Sequence, residues 1–272
     1  MNATLFNAAM GLYLLASVLY ALHLAARRNR ALGLTATGVL VGGFLLNTAA
    51  FGVRWLESHK AGFGYVPLSN MYESMVFFAW SIVLLYVFFE WRLRTRALGA
   101  FVAPLGFLSI ALVSLNPAIS SDLQPLVPAL QSNWLTSHVV TCFIGYAAFA
   151  IAFASSVAYL FKKGGPEGLL PAGKALDDIS YRAVAMGFCF LTLGILTGAA
   201  WANYAWGTYW SWDPKETWSL ITWFVYAAYL HARFSAGWKG PRLAVLSTVG
   251  FGAVVFTYWG VNYVLSGLHS YG

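Results

Sequence analysis

Charge is scarce in this sequence. Only 9% of its 272 residues are Asp, Glu, Lys or Arg, while 60% are hydrophobic. Soluble domains carry about 25% charged residues, so a water-soluble enzyme is excluded and a polytopic membrane protein is expected. Cysteine is almost absent: Cys142 and Cys189 lie in separate apolar runs, with no CxxC. A disulfide framework and a zinc centre are thereby excluded, and both thiols are expected to be small buried hydrophobes. Any thiol chemistry has to use thiols brought by another protein. Also missing are a Ser-His-Asp arrangement, a phosphate-binding glycine loop and a paired-carboxylate motif. The N-terminus lacks the basic stretch of a signal peptide, and its first apolar run is too long for one, so a retained membrane span is expected there. The net charge of +7 does not point to nucleic acid, because the basic residues sit in short clusters between apolar runs.

What is present is a succession of hydrophobic stretches. About 20 apolar residues cross ~30 Å of hydrocarbon as a helix, and eight runs approach that length: 5–26, 33–53, 71–91, 97–115, 134–161, 181–202, 218–233 and 243–266. The loops after runs one, three, five and seven hold 13 Lys and Arg; the other side holds only Arg54, Lys60 and Lys215. This asymmetry puts the first group in the cytoplasm and both termini outside. The expected fold class is an all-α polytopic membrane protein of about eight transmembrane helices, N-out and C-out, with short extracytoplasmic loops. One domain over 1–272 is expected. Leu123, Leu126, Val127 and Leu130, in the outer loop 116–133, suggest a short interfacial helix.

Tryptophan is concentrated. Seven of the twelve lie between Trp201 and Trp238, around the string Trp206-Gly207-Thr208-Tyr209-Trp210-Ser211-Trp212-Asp213-Pro214-Lys215-Glu216. A single indole at this level is equally well an interfacial anchor. So many in one loop broken by Gly and Asp-Pro read instead as a platform for a planar aromatic ligand. Asp213, Pro214 and Glu216 also read as the N-cap, N1 proline and acidic first turn of the seventh span. Glu73, just after Ser69 and Asn70, reads as a capping residue of the third.

Five histidines complete the inventory. His138 opens span five and His269 follows span eight, so topology brings both to the outer face beside the tryptophan loop. Two imidazoles approaching one flat ring from opposite sides is the arrangement of bis-His haem ligation. His231 lies deep in span seven, where an ionisable group is a functional candidate, although a neutral His bonded to a neighbouring helix fits equally well. His23 either pairs with His231 or reaches the cytoplasmic surface past Arg27. His59 reads as a residue of a polar outer loop.

Taken together, Trp206, Gly207, Trp210, Trp212, Asp213 and Glu216 match the pattern WGxxWxWDxxE. The segments Pro67–Ser74, 138–146, Tyr229–His231 and Gly267–Tyr271 add further likeness. The chain resembles the WWD-domain haem-handling proteins, specifically the CcsA-type subunits of the System II cytochrome c synthase, with the WWD segment at about 201–218. The resemblance implies a haem lyase subunit active with a CcsB-type partner in cytochrome c biogenesis. It would export haem b and attach it to the CxxCH thiols of apocytochrome c, with a thiol-reducing pathway protein as a further partner. His138 and His269 would be the catalytic external haem ligands, and His231 a transmembrane ligand whose mate comes from the partner chain. Trp206, Trp210, Trp212 and Asp213 would bind the macrocycle. The implied location is the bacterial cytoplasmic membrane, or the thylakoid membrane for a plastid-encoded chain, with the active face outside. The competing readings are a haem exporter without synthase activity and a b-type cytochrome anchor using His23 and His231.

Overall fold

A computed structural model describes residues 1–162 and 169–265. Among them there is no strand, and the helices follow the eight apolar runs in order. They are α1 (Asn2–Ala25), α2 (Arg30–Lys60), α3 (Met71–Leu93), α4 (Gly99–Ser114), α5 (Asn133–Lys162), α6 (Gly173–Trp206), α7 (Pro214–Phe234) and α8 (Pro241–Val255). The last continues through a π-helical turn, Phe256–Gly260, into α9 (Val261–Val264). Six of these rods are long and apolar enough to cross a bilayer: α1, α2, α3, α5, α6 and the α8–α9 rod. The 16-residue α4 is shorter, and the 21-residue α7 is less apolar because Thr, Trp, Tyr and His punctuate it. The chain is an all-helical, multi-pass membrane protein.

Helix boundaries follow local chemistry. Asn29 and Asn70 cap α2 and α3 by accepting from the backbone N–H three residues on, at 3.1 and 2.9 Å. The chain enters α8 through Gly240, at φ +70°, followed by Pro241 at N1. The outer loop departs from expectation. Instead of an interfacial helix it holds one 3-10 turn, Pro128–Leu130, because Pro117, Pro125 and Pro128 each remove a donor and bias the preceding residue away from helix.

The chain divides into two compact units. The first, Met1–Pro125 with Phe161–Ala172, contains α1 to α4; α1 packs on α2 and α4, and α3 packs on α2 and α4. Its interior is not purely apolar. Helix α2 runs two turns past the expected end of its span, and Arg54, read from sequence as a loop cation, lies wholly buried inside it. Arg54 Nε donates to Glu73 Oε1 at 2.8 Å, and neither side chain is exposed. Its Nη1 donates to Asn2 Oδ1 at 3.1 Å and to the Ser121 carbonyl at 2.7 Å. The other Glu73 oxygen accepts from the Ser69 amide and hydroxyl, both at 2.8 Å. Glu73 therefore caps α3, as its position suggests, and also closes a buried ion pair that joins α2, α3, the N-terminus and the loop around Ser121. Elsewhere in this unit buried Glu90 accepts from Tyr20 at 2.7 Å and from Thr37 at 2.6 Å, and pairs with Arg96 at 3.3 Å.

The second unit, Leu126–Leu160 with Gly173–Gly272, contains most of α5 and everything from α6 onward. Helices α5 and α6 meet through glycine. A Cβ on Gly145 would stand 3.1 Å from the Leu191 amide nitrogen, and one on Gly187 would stand 3.0 Å from the Gly145 carbonyl. Backbones that close are the usual mode of helix packing in lipid, where apolar burial alone does not drive association. Cys142 is buried in this seam, as expected, whereas Cys189 is exposed on the outer surface of α6. An apolar run in a membrane helix has a face turned to its surroundings, so apolar context alone did not make Cys189 interior.

Removing one member of a buried ion pair leaves an uncompensated charge, at about 3–5 kcal/mol. We expect Arg54→Ala to lower the thermal midpoint of the purified protein sharply, followed by tryptophan fluorescence in detergent. Arg54→Leu combined with Glu73→Gln is expected to recover most of that loss.

Candidate functional site

The tryptophan loop is a backbone problem solved by one carboxylate. Helix α6 ends at Trp206, Gly207 turns the chain at φ +77°, and α7 opens at Pro214. Asp213 is the N-cap, with Oδ2 accepting from the Lys215 amide at 3.0 Å and a full capping box with Glu216. Glu216 does more than cap. Its Oε2 accepts from the Asp213 amide at 3.1 Å, the Ser211 amide at 2.8 Å and the Ser211 hydroxyl at 3.2 Å. The residue between those two amides is Trp212, held at φ +61°, a left-handed conformation costly for a bulky side chain. Asp213 and Glu216 are both buried, while Trp212 is 68% exposed. The clamp thus fixes the backbone on either side of an indole that projects outward. Trp210 meets Trp212 edge-on at 5.7 Å and 90°.

The remaining tryptophans do not extend this surface. Trp223 points into the α6–α7 contact, its Nε1 donating to Thr192 at 2.9 Å. Trp238 lies beyond the far end of α7, under Arg242. The projecting part is narrower than the sequence count suggests: Trp206 and Trp210 half-buried, Trp212 exposed. Lys215 is the only basic side chain between Trp201 and Trp218. Burial in the turn ahead of the seventh apolar run pushes its ammonium down to about 8, opposed by the nearby Asp213 carboxylate.

Trp201 faces inward and is 2% exposed. Its ring meets Trp206 at 4.9 Å and 64°, and lies nearly parallel to the imidazole of His138, at 6.0 Å and 14°. The N-terminal end of α5 and the C-terminal end of α6 therefore bring His138 within one ring of the tryptophan loop. His138 Nδ1 lies 2.7 Å from the Gly194 carbonyl. A carbonyl only accepts, so this bond places the proton on Nδ1 and the lone pair on Nε2. That tautomer, oriented by a backbone carbonyl, is the one a metal-ligating histidine uses, and the donor set fits an iron porphyrin resting against indole. The π-helical turn of the α8 rod closes on the same region. Thr257 Oγ1 lies 3.0 Å from Thr222 Oγ1 and donates to the Trp218 carbonyl at 3.2 Å, and Phe256 packs on Trp218 at 4.1 Å. Turns of this kind recur at functional sites.

Each of the other histidines has its own surroundings. His231 is exposed, 17 residues into α7 from Pro214, which is about 25 Å of helix; its Nδ1 lies 3.4 Å from Ser235 Oγ. His23 does not reach the surface. It is buried and donates from Nδ1 to the Asn29 carbonyl at 2.7 Å. His59 lies in the last turn of α2 rather than a loop, exposed, with Nδ1 2.9 Å from the Trp55 carbonyl. His269 lies outside the described residues. Sequence reading missed the part of Trp201 and of the glycines facing His138, although Gly194-Ile195-Leu196-Thr197-Gly198 spells GxxxG within an apolar span.

A family model described as Cytochrome C assembly protein matches residues 68–269. A "Cytochrome c biogenesis protein CcsA" of Chlamydomonas reinhardtii is 47% identical over 228 residues, covering 81% of this chain and 63% of that protein. One from Gloeobacter violaceus is 38% identical over 325 residues, covering 98% and 94%. The Synechococcus elongatus protein is 40% identical, with 84% of each covered. Less than two thirds of the Chlamydomonas protein is therefore spanned, against nearly all of the Gloeobacter one. Among solved structures, "Cytochrome c Heme Lyase CcmF" superposes with a TM-score of 0.73 at 19% identity, over 95% of this chain and 46% of that one. At that identity the likeness is one of fold.

Hydrogen bonds to a charged acceptor contribute about 1.5–3 kcal/mol. We therefore expect Glu216→Gln to destabilise the protein by roughly that amount and to release Trp212. A fluorine label on Trp212, sharp in the parent, should broaden or split in the variant's NMR spectrum.

Proposed function

The chain belongs to the cytochrome c assembly protein family, and from that premise we propose that it handles haem for cytochrome c biogenesis, presenting it on the tryptophan loop for covalent attachment to apocytochrome c. The observation that carries the proposal is the run of contacts from His138 through Trp201 to Trp206. It supports an iron ligand beside a projecting indole surface, each fixed by buried polar bonds before haem arrives. The CcsA relatives support the biogenesis role by name.

In this reading His138 and His269 are the two external axial ligands and act catalytically by holding haem in place. Trp206, Trp210 and Trp212 support the macrocycle, and Asp213 keeps their loop in shape. His231, exposed on α7 at a distance from that loop, is the ligand of an earlier transmembrane station, with its mate on a CcsB-type subunit. Haem b is substrate rather than resident cofactor. When bound it supplies the iron and the vinyl groups that become thioether-linked. This chain's residues position and shield them, while the thiols come from the CxxCH motif of apocytochrome c, kept reduced by a separate thiol pathway. No acid or base in the chain is required. The family match runs from residue 68 to 269, across both units, which supports a single haem-handling domain over that range. The basic loops support an active face outside the cytoplasmic membrane, or across the thylakoid membrane in a plastid.

Four measurements test this. His138→Ala and His269→Ala should each lose low-spin haem and stop cytochrome maturation, with partial recovery on adding imidazole; unchanged haem content in both would refute the ligand assignment. Ala at Trp206, Trp210 or Trp212 should lower haem occupancy while membrane insertion stays normal. Co-expression with a CcsB-type partner and an apocytochrome should yield haem that survives denaturing gels, which an exporter alone would not produce. A single cysteine at Tyr209 should react with an impermeant maleimide from the outside; labelling only from the cytoplasm would reverse the topology.

A further inference from the structure

The side of His138 away from its lone pair is enclosed by three features of one helix. The Gly194 carbonyl receives its Nδ1 proton at 2.7 Å. A Cβ on Gly198, one turn further along α6, would stand 2.6 Å from Nδ1 and 2.7 Å from Cε1, closer than real side chains tolerate. Trp201 then lies nearly parallel to the imidazole. Cys142 Sγ, one turn along α5, lies 3.7 Å from the same nitrogen. Trp201 is itself held, because its Nε1 donates to the Ala129 carbonyl in the 3-10 turn at 2.8 Å. Its neighbour Tyr204 donates to the Gln131 carbonyl at 3.1 Å.

An imidazole on a helix ordinarily rotates about two side-chain torsions. Here a carbonyl fixes one edge, a missing side chain admits the ring to the α6 backbone, and an indole limits rotation about the ring plane. We infer that Gly198 and Trp201 are positioning residues for the external haem, setting the plane and tautomer of the His138 ring and through them the spin state and potential of the iron. The inference rests on the reading of His138 as an axial ligand. It adds that Trp201, though part of the tryptophan cluster, acts on the ligand rather than on the macrocycle. Gly198 then supports ligation through the ring it admits, because a larger residue would displace the imidazole from the Gly194 carbonyl.

The test compares His138→Ala, Gly198→Ala, Trp201→Leu and Trp201→Phe in the full chain, purified from haem-replete cells with its partner. The readouts are absorption spectrum, midpoint potential and haem retention. Loss of an outer partner of a metal-bound histidine typically lowers affinity ~10- to 100-fold. Gly198→Ala and Trp201→Leu should weaken retention on that scale, shift the spectrum from low toward mixed spin and move the potential. Trp201→Phe, which keeps a flat ring but no donor, should hold the parental spectrum. Excess imidazole should restore the low-spin spectrum in Gly198→Ala, which a folding defect would not allow. If Gly198→Ala does not accumulate, the contrast between Leu and Phe at residue 201 decides alone. Parental spectra and potentials in Gly198→Ala and Trp201→Leu, with haem lost from His138→Ala, would overturn the inference. Parental haem in His138→Ala would bring down the ligand reading itself, and this inference with it.

Discussion

The Glu216 carboxylate governs the turn between α6 and α7 in the second unit. One of its oxygens receives the amides on both sides of Trp212 and a hydroxyl as well, so three donors converge on a single buried charge. A left-handed tryptophan persists only where its surroundings over-determine it, and these bonds do so. The same residue opens α7 in a capping box. Helix initiation and the projection of the indole are thus coupled through one carboxylate.

A corresponding economy appears between α5 and α6. The glycines that let the two backbones approach also leave room for an imidazole at the outer end of the seam. Gly145 and Gly187 bring backbone against backbone, Gly187 also meeting the Phe149 ring, whereas Gly194 and Gly198 meet the side chains of Cys142 and His138. Both pairs obey the same rule of helix packing in lipid. Only the second pair faces polar side chains, the thiol of Cys142 and the imidazole of His138. The histidine therefore inherits its rigidity from the contact that holds the unit together.

Much of this was legible in the residues alone. The helical rods, the cap at Asp213 and Pro214, and the capping part of Glu73 follow from local rules that act within a few positions. What escaped depends on partners far along the chain. Arg54 counts as a loop cation until Glu73, Asn2 and the Ser121 carbonyl are seen around it. Trp201 counts as one more interfacial indole until its ring is found against His138, 63 positions earlier. Burial of polar groups is decided by such pairings, which periodicity does not encode. The three prolines of the outer loop are the opposite case, a local signal outweighed in reading by the spacing of nearby leucines.

The buried pair in the first unit carries a consequence for how the chain is made. Synthesis delivers Arg54 nineteen residues ahead of Glu73, so the second helix leaves the ribosome before the carboxylate that its guanidinium pairs with in the folded unit. A lone guanidinium is costly in hydrocarbon. The C-terminal end of the second helix is therefore less costly to bury once the third has brought Glu73 beside it. The pairing thus favours release of the two helices together, as a hairpin, over release of the second alone.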